Sequence, residues 1–181
     1  MDAKLLDAAV DVLGEHGWDG LSLERIAERA GVSRVTLWRQ AIGREAIVDA
    51  LLARLTADYQ DTLWPILTAP GPGRERLREA LLALCAVAER HLQLLLSSDE
   101  AFHRAQARAR PRPSFIGPLV RLLHDGVADG SLREPEAGYE DQANALFNTV
   151  CWSYVHLRGR HRWSAQRTSK LVVGLVLEGV A

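Results

Sequence analysis

Arg34, Arg39 and Arg44 stand within one short stretch, "AGVSRVTLWRQAIGREAIVDAL" (residues 30 to 51), and no acid lies between them. Residues 1 to 50 hold six Lys/Arg, these three included, against nine Asp/Glu, so this positive charge is local. Guanidinium forks match phosphate oxygens and the guanine edge, a Gln amide matches adenine, and Ser and Thr hydroxyls suit either base. Arg34, Thr36 and Gln40, with Ser33 before them, therefore point to recognition of a nucleic acid by contact. No nucleophile–base pair or paired-carboxylate motif accompanies them, so the sequence reads as no enzyme and calls for no cofactor. His91 and His103 are twelve apart, and His156 and His161 flank "RGR"; none are spaced i, i+4 on one helix, so no metal is expected. Cys85 and Cys151 sit in apolar runs and read as reduced core thiols of a cytoplasmic protein.

The elements that must carry these residues are helices. The chain has 181 residues, 48% apolar and 25% charged, with a net charge of −1, which suits a soluble globular protein with no global pull toward nucleic acid or membrane. No run is long and apolar enough to span a bilayer, and no secretion signal opens the chain, so no membrane partner is expected. Residues 3 to 16 place Leu5, Leu6, Ala9, Val12 and Leu13 on one stripe, with Gly17 as the stop. Ser22 can cap a second helix, "LERIAERA", that Gly31 ends; Ser33 restarts a third two residues later. A longer helix is expected from Gly43 to about Leu63, closed by Pro65. "TAPGPG" at 68 to 73 is the clearest punctuation in the chain. Beyond it, one long amphipathic helix covers "RERLREALLALCAVAERHLQLLL". Ser97 or Ser98 caps another through "DEAFHRAQARA", and Ser114 opens one that closes near Gly130. Two final helices cover about 138 to 158 and 164 to 180. "HRAQARARPRP", 103 to 113, reads as a solvated helix end and loop.

Helix, Gly-containing turn and helix at 22 to 40 fit a helix-turn-helix. Ile26, Ala27, Val32 and Leu37 can form its small core, while Ser33, Arg34, Thr36 and Gln40 project away. Arg44 opens the next helix, where the helix dipole offers it little, so an outside anion should suit it.

With "LLDAAVDVLGEHGWD" before it, "GLSLERIAERAGVSRVTLWRQAIGREAIVDAL" resembles the DNA-binding domain of the TetR family of transcriptional regulators. The resemblance covers about residues 3 to 50 and implies an all-α fold in two parts. A helix-turn-helix DNA-binding domain would span 1–48, with its motif at about 22–41, and a ligand-binding and dimerisation domain 49–181. It implies base contacts at Arg34, Val35 and Thr36, and backbone contacts at Trp38, Gln40 and Arg44. Ser22, the cap of the second helix, sits where a hydroxyl often touches phosphate, and Ser33 offers helix N–H groups to another. Two positions depart from the pattern. Trp38 replaces a usual Tyr, and Gln40–Ala41 replaces a usual His–Phe. The lost Phe should leave a void that Ile42 or Trp38 refills.

In the larger remainder, Tyr59, Trp64, Cys85, His91, Phe102, Phe115, Phe147 and Trp152 are the candidate lining of an apolar site, and their neutrality favours a neutral, apolar or aromatic effector. The last helix has Leu171, Val172, Leu175 and Val176 with Gly174 and Gly179, and the helix before it is apolar over much of its circumference. Together they expose more apolar surface than one domain needs, which predicts a four-helix bundle across a two-fold axis and hence a palindromic operator. The whole reads as a dimeric DNA-binding regulator, most simply a repressor, released by a small molecule through the fourth helix. The alternative is a helical dimeric protein-interaction module without DNA binding.

Overall fold

The computed structural model describes residues 1–97 and 115–180, and all regular structure among them is helical. Nine helices follow in order: α1 (Ala3–His16), α2 (Leu23–Ala30), α3 (Arg34–Arg39), α4 (Arg44–Thr68), α5 (Gly73–Arg90), α6 (Leu92–Ser97), α7 (Gly117–Ala128), α8 (Tyr139–Gly159) and α9 (Ala165–Val180). The chain is therefore all-α, with the N-terminal helix-turn-helix and larger C-terminal helical part that the sequence implies. The candidate Phe102, the helix expected through "DEAFHRAQARA", the basic stretch 103–113 and the proposed opening at Ser114 lie outside the described residues.

By contact density the described chain divides into two units. The first holds residues 1 to 55 and returns from His91 through α6; the second holds 56 to 90 and 115 to 180. In the first, α1 packs on α2 and α6, and α2 on α3. Leu5, Leu6, Ala9, Val12 and Leu13, the stripe the periodicity draws in α1, are buried there with Leu21, Ile26, Ala30 and Leu37. Burying the i, i+3, i+4 rows of three short helices against one another stabilises helices too short to persist alone.

In the second unit α5, α7, α8 and α9 pack together. The contact between α5 and α7 depends on two glycines. A Cβ on Gly73 would lie 2.3 Å from the Cα and N of Gly126, so the helices meet backbone to backbone. The start of α5 is capped from far along the chain: Gly73 N–H donates to Asp129 Oδ2 (2.6 Å) and Arg74 N–H to Ser131 Oγ (3.0 Å). "ADGS" thus ends α7 and begins α5 at once.

Two helix boundaries differ from expectation. Pro65 lies inside α4, which runs on to Thr68. A proline forfeits the intrahelical hydrogen bond to the carbonyl four residues back, here that of Asp61, an exposed residue whose carbonyl water can reach. Thr68 Oγ1 returns to the Trp64 and Pro65 carbonyls there. The long helix expected after "TAPGPG" is broken at His91 into α5 and α6. Arg90 is held by Asp58 and Thr62 in the second unit, whereas Gln93 of α6 lies on Gly14 of α1 in the first. The chain changes units at the break.

Candidate nucleic-acid interface

The recognition element is built by local rules. Ser22 Oγ accepts from Arg25 N–H at 3.3 Å, fixing the start of α2. Gly31 takes the left-handed conformation (φ 66°, ψ 33°), and Val32 N–H reaches back to the Ala27 carbonyl at 3.0 Å, which turns the chain out of α2. Ser33 Oγ accepts from Thr36 N–H at 3.1 Å and meets Thr36 Oγ1 at 2.8 Å, so α3 starts with its cap and one candidate base contact already bonded to each other. Ile26, Ala27 and Leu37 are buried between the two helices; Val32 is half-buried. Outward, Ser33, Arg34, Val35, Thr36, Trp38 and Gln40 are all exposed, Val35 by 64% and Trp38 by 80%. This six-residue helix packs on one side only and leaves its Val and Trp in water on the other.

Two arginines of this face have partners within the fold, and one expectation is corrected. Arg34 forms an ion pair with Glu24 of α2 at 2.7 Å. The Arg44 guanidinium donates to the Trp18 carbonyl at 2.7 Å and lies 4.6 Å above the Trp18 ring. The loop between α1 and α2 thereby satisfies a cation that the start of α4 does not favour. Neither partner is adjacent in sequence, so a count of charges along the stretch could not find them. Finally, the expected void does not form. Ala41 is exposed and takes φ 54°, with Ile42 N–H donating to the Leu37 carbonyl at 2.9 Å, and Trp38 points away instead of refilling anything. The cost of Ala41 is conformational, because a Cβ is disfavoured in a left-handed cap.

Two residues received no individual role from the sequence. Arg39, at the end of α3, is exposed and has no hydrogen-bonding or ionic partner among the described residues. Trp18 is the platform for Arg44; the "GWD" that follows α1 is the only sign of it.

The second unit gathers part of the candidate effector site. Tyr59, Phe115 and Phe147 meet with ring centroids 5.3, 6.4 and 5.7 Å apart, and the Tyr59 hydroxyl donates to the Phe115 carbonyl at 2.5 Å. Burial raises the Tyr59 hydroxyl above its ordinary range, with Cys151 adding to the shift. Cys85 and Cys151 are buried free thiols, each pushed up to about 12 by burial, with Cys151 adding to the shift of Cys85. They are inert at neutral pH. Trp152 is half-buried on α8. Trp64 is 67% exposed, and His91 belongs to the first unit, so neither is gathered with the aromatic trio. A cleft of about 370 Å³ lies elsewhere in this unit, lined by Leu123, Arg133, Glu134, Gln142 and Gly179 among others.

A capped helix-turn-helix with a polar, arginine-bearing second helix has the build of a DNA-recognition element. Residues 5–51 match the model of bacterial regulatory proteins of the tetR family. The tetracycline repressor class D of Escherichia coli is 33% identical over 62 residues, 34% of this chain but only 28% of that protein. The KstR2 transcriptional repressor of Mycobacterium tuberculosis is 26% identical across 98% of this chain and 91% of its own length. FadR of Bacillus subtilis, solved with stearoyl-CoA, superposes with a TM-score of 0.77 at 16% identity, covering 98% of both chains. Residues 5–51 are thus similar to the DNA-binding domain of the TetR family of transcriptional regulators, and nearly the whole chain is similar to a transcriptional repressor.

Proposed function

We propose that this protein is a sequence-specific DNA-binding transcriptional regulator, a repressor that a small-molecule effector releases. The observation that carries the reading is the outward face of α3, where Arg34, Val35, Thr36, Trp38 and Gln40 stand exposed together on a helix whose other side is buried. In this reading Arg34, Val35 and Thr36 address bases. Ser22, Ser33, Trp38, Gln40 and Arg44 hold the phosphate backbone, joined by Arg39. Glu24 is a placeholder that Arg34 exchanges for DNA. The effector is neutral and apolar or aromatic, and the Tyr59–Phe115–Phe147 cluster, with Cys85 and Trp152, is its site; that FadR was solved with stearoyl-CoA accords with an apolar ligand. The protein acts as a homodimer through its last two helices on a palindromic operator, in the cytoplasm; among the described residues no helix is long and apolar enough to cross a membrane. α4 runs unbroken from residues of the first unit into those of the second, which makes it the path for the effector's signal. Helices that bind and move account for this role, and no catalysis is proposed.

Selection of bound duplexes from a random pool at two salt concentrations, with Arg34→Ala alongside, tests the reading. A palindromic motif is expected, and Arg34→Ala should weaken binding to it by ~1–3 kcal/mol and relax the preference at one base pair. The absence of any enriched motif at either salt would sink it and favour a protein partner for α3.

A further inference from the structure

The exposed side of α9 is ordered in a way that a second copy of the same helix would match. Val172, Val173, Leu177 and Val180 are buried, while Leu171 and Leu175 are 45% and 63% exposed. Arg167 and Glu178, both exposed, lie on the same stripe, one turn before Leu171 and one turn after Leu175. Read from its start, the stripe runs cation, leucine, leucine, anion. Leu171 and Leu175 are about 6 Å apart along the axis and Arg167 and Glu178 about 16 Å, and both pairs are centred on the turn at Val172–Val173. Beside that centre is Gly174, where an added Cβ would have nothing within 4 Å, so the backbone itself is open to close approach.

The rest of the hairpin is polarised in the same sense. Residues 142 to 177 contain no acid, and their five cations are Arg158, Arg160, Arg162, Arg167 and Lys170. These gather at the α8–α9 turn, where Trp163 N–H donates to the Leu157 carbonyl and Arg167 lies 3.7 Å above the Trp163 ring. Glu140, Asp141 and Glu178 lie at the other end, where Gln142 and Gly179 line one cleft. Two copies joined with α9 helices parallel would set cation against cation and acid against acid. Joined antiparallel, the cationic end of one copy meets the acidic end of the other.

We infer that α9 pairs antiparallel with its copy about a dyad beside Gly174, with Leu171 against the partner's Leu175 and Arg167 facing the partner's Glu178. The inference rests on the dimer proposed above and adds its direction and register. A helix pair with this sequence cannot satisfy both the leucines and the charges in any other register, because the two pairs share one centre.

The test is sedimentation equilibrium of the full chain at low and high salt. Arg167→Glu and Glu178→Arg should each raise the dimer dissociation constant about tenfold at low salt and less at high salt, since each replaces two symmetry-related attractions with repulsions. The double variant should return to within about threefold of the original, because the exchanged charges face each other again. Independently, Gly174→Cys should form an intersubunit disulfide on mild oxidation and Glu178→Cys should not, because copies of residue 178 are about 16 Å apart along the axis, beyond disulfide reach. A dimer indifferent to the single reversals, or one not restored by the double, overturns the register and leaves the dimer standing. A chain that stays monomeric at every concentration overturns both.

Discussion

Arg34 in the first unit and Arg76 and Arg158 in the second are held in opposite ways. In the first, the guanidinium of Arg34 is 71% exposed and its partner Glu24 is 55% exposed. In the second, Arg76 and Asp125 are 12% and 22% exposed, and Arg158 is held by both oxygens of Glu89 while donating to the Trp163 carbonyl. An exposed pair is worth little and exchanges partners readily; a pair withdrawn from water is costly to part. The first unit keeps Arg34 available, and the second commits Arg76 and Arg158 to its own framework. The difference follows from the elements. The short helices of the first unit bury one row each and leave the rest in water, while the second has four longer helices with glycine-to-glycine contact to close over its polar groups.

The sharpest way to break the second unit is steric. Gly73→Val forces a side chain into the Gly126 backbone, and the expected loss is about 3 kcal/mol or more, read as a lower urea midpoint. A midpoint equal to that of the original chain would mean that α5 and α7 can part at no cost.

Next in size is the ion network. Hydrogen bonds from Arg158 hold the Glu89 carboxyl below its ordinary value of 4.5, so its folded-state pKa is depressed. The sign follows: its contribution is present above the unfolded value and is lost as pH falls from there through the folded one. Arg158→Gln should lower stability near pH 7 by about 1–2 kcal/mol, the worth of hydrogen bonds to a charged group after allowance for water. It should also flatten the acid limb of the stability profile. If the acid limb keeps its slope, other carboxylates govern it.

Much of the recognition element was legible because its signals are local. Ser22, Gly31 and Ser33 act on N–H and carbonyl groups within five residues, so residue type alone places the ends of α2 and the start of α3. What was not legible needed a partner distant in sequence. Nothing near Arg44 names Trp18, nothing near Gly73 names Asp129, and apolar spacing marks Tyr59 and Trp64 alike although one is buried and the other is mostly in water. Ala41 misled for another reason. The resemblance suggested a buried aromatic position, and here the position is an exposed cap whose demand is on φ. Ala41→Gly should therefore stabilise the chain by about 1 kcal/mol without changing the exposed face of α3, read as a higher thermal midpoint at unchanged DNA preference.

The smallest predicted change bears most directly on how the two units differ. If the Glu24–Arg34 pair is a placeholder, Glu24→Gln removes the competitor for Arg34 and one negative charge from beside the phosphates. DNA affinity should rise by up to about 1 kcal/mol at low salt, and the gain should shrink as salt screens it. Folding stability should hardly move, because an exposed pair contributes almost nothing to it. Titrating one duplex at two salt concentrations, beside a urea curve, separates the two effects. Tighter DNA binding with an unchanged urea midpoint marks a cation held in reserve. A loss of stability comparable to that of Arg158→Gln would mean that the first unit, too, uses its arginine as framework, and the contrast between the units would fail at its most exposed pair.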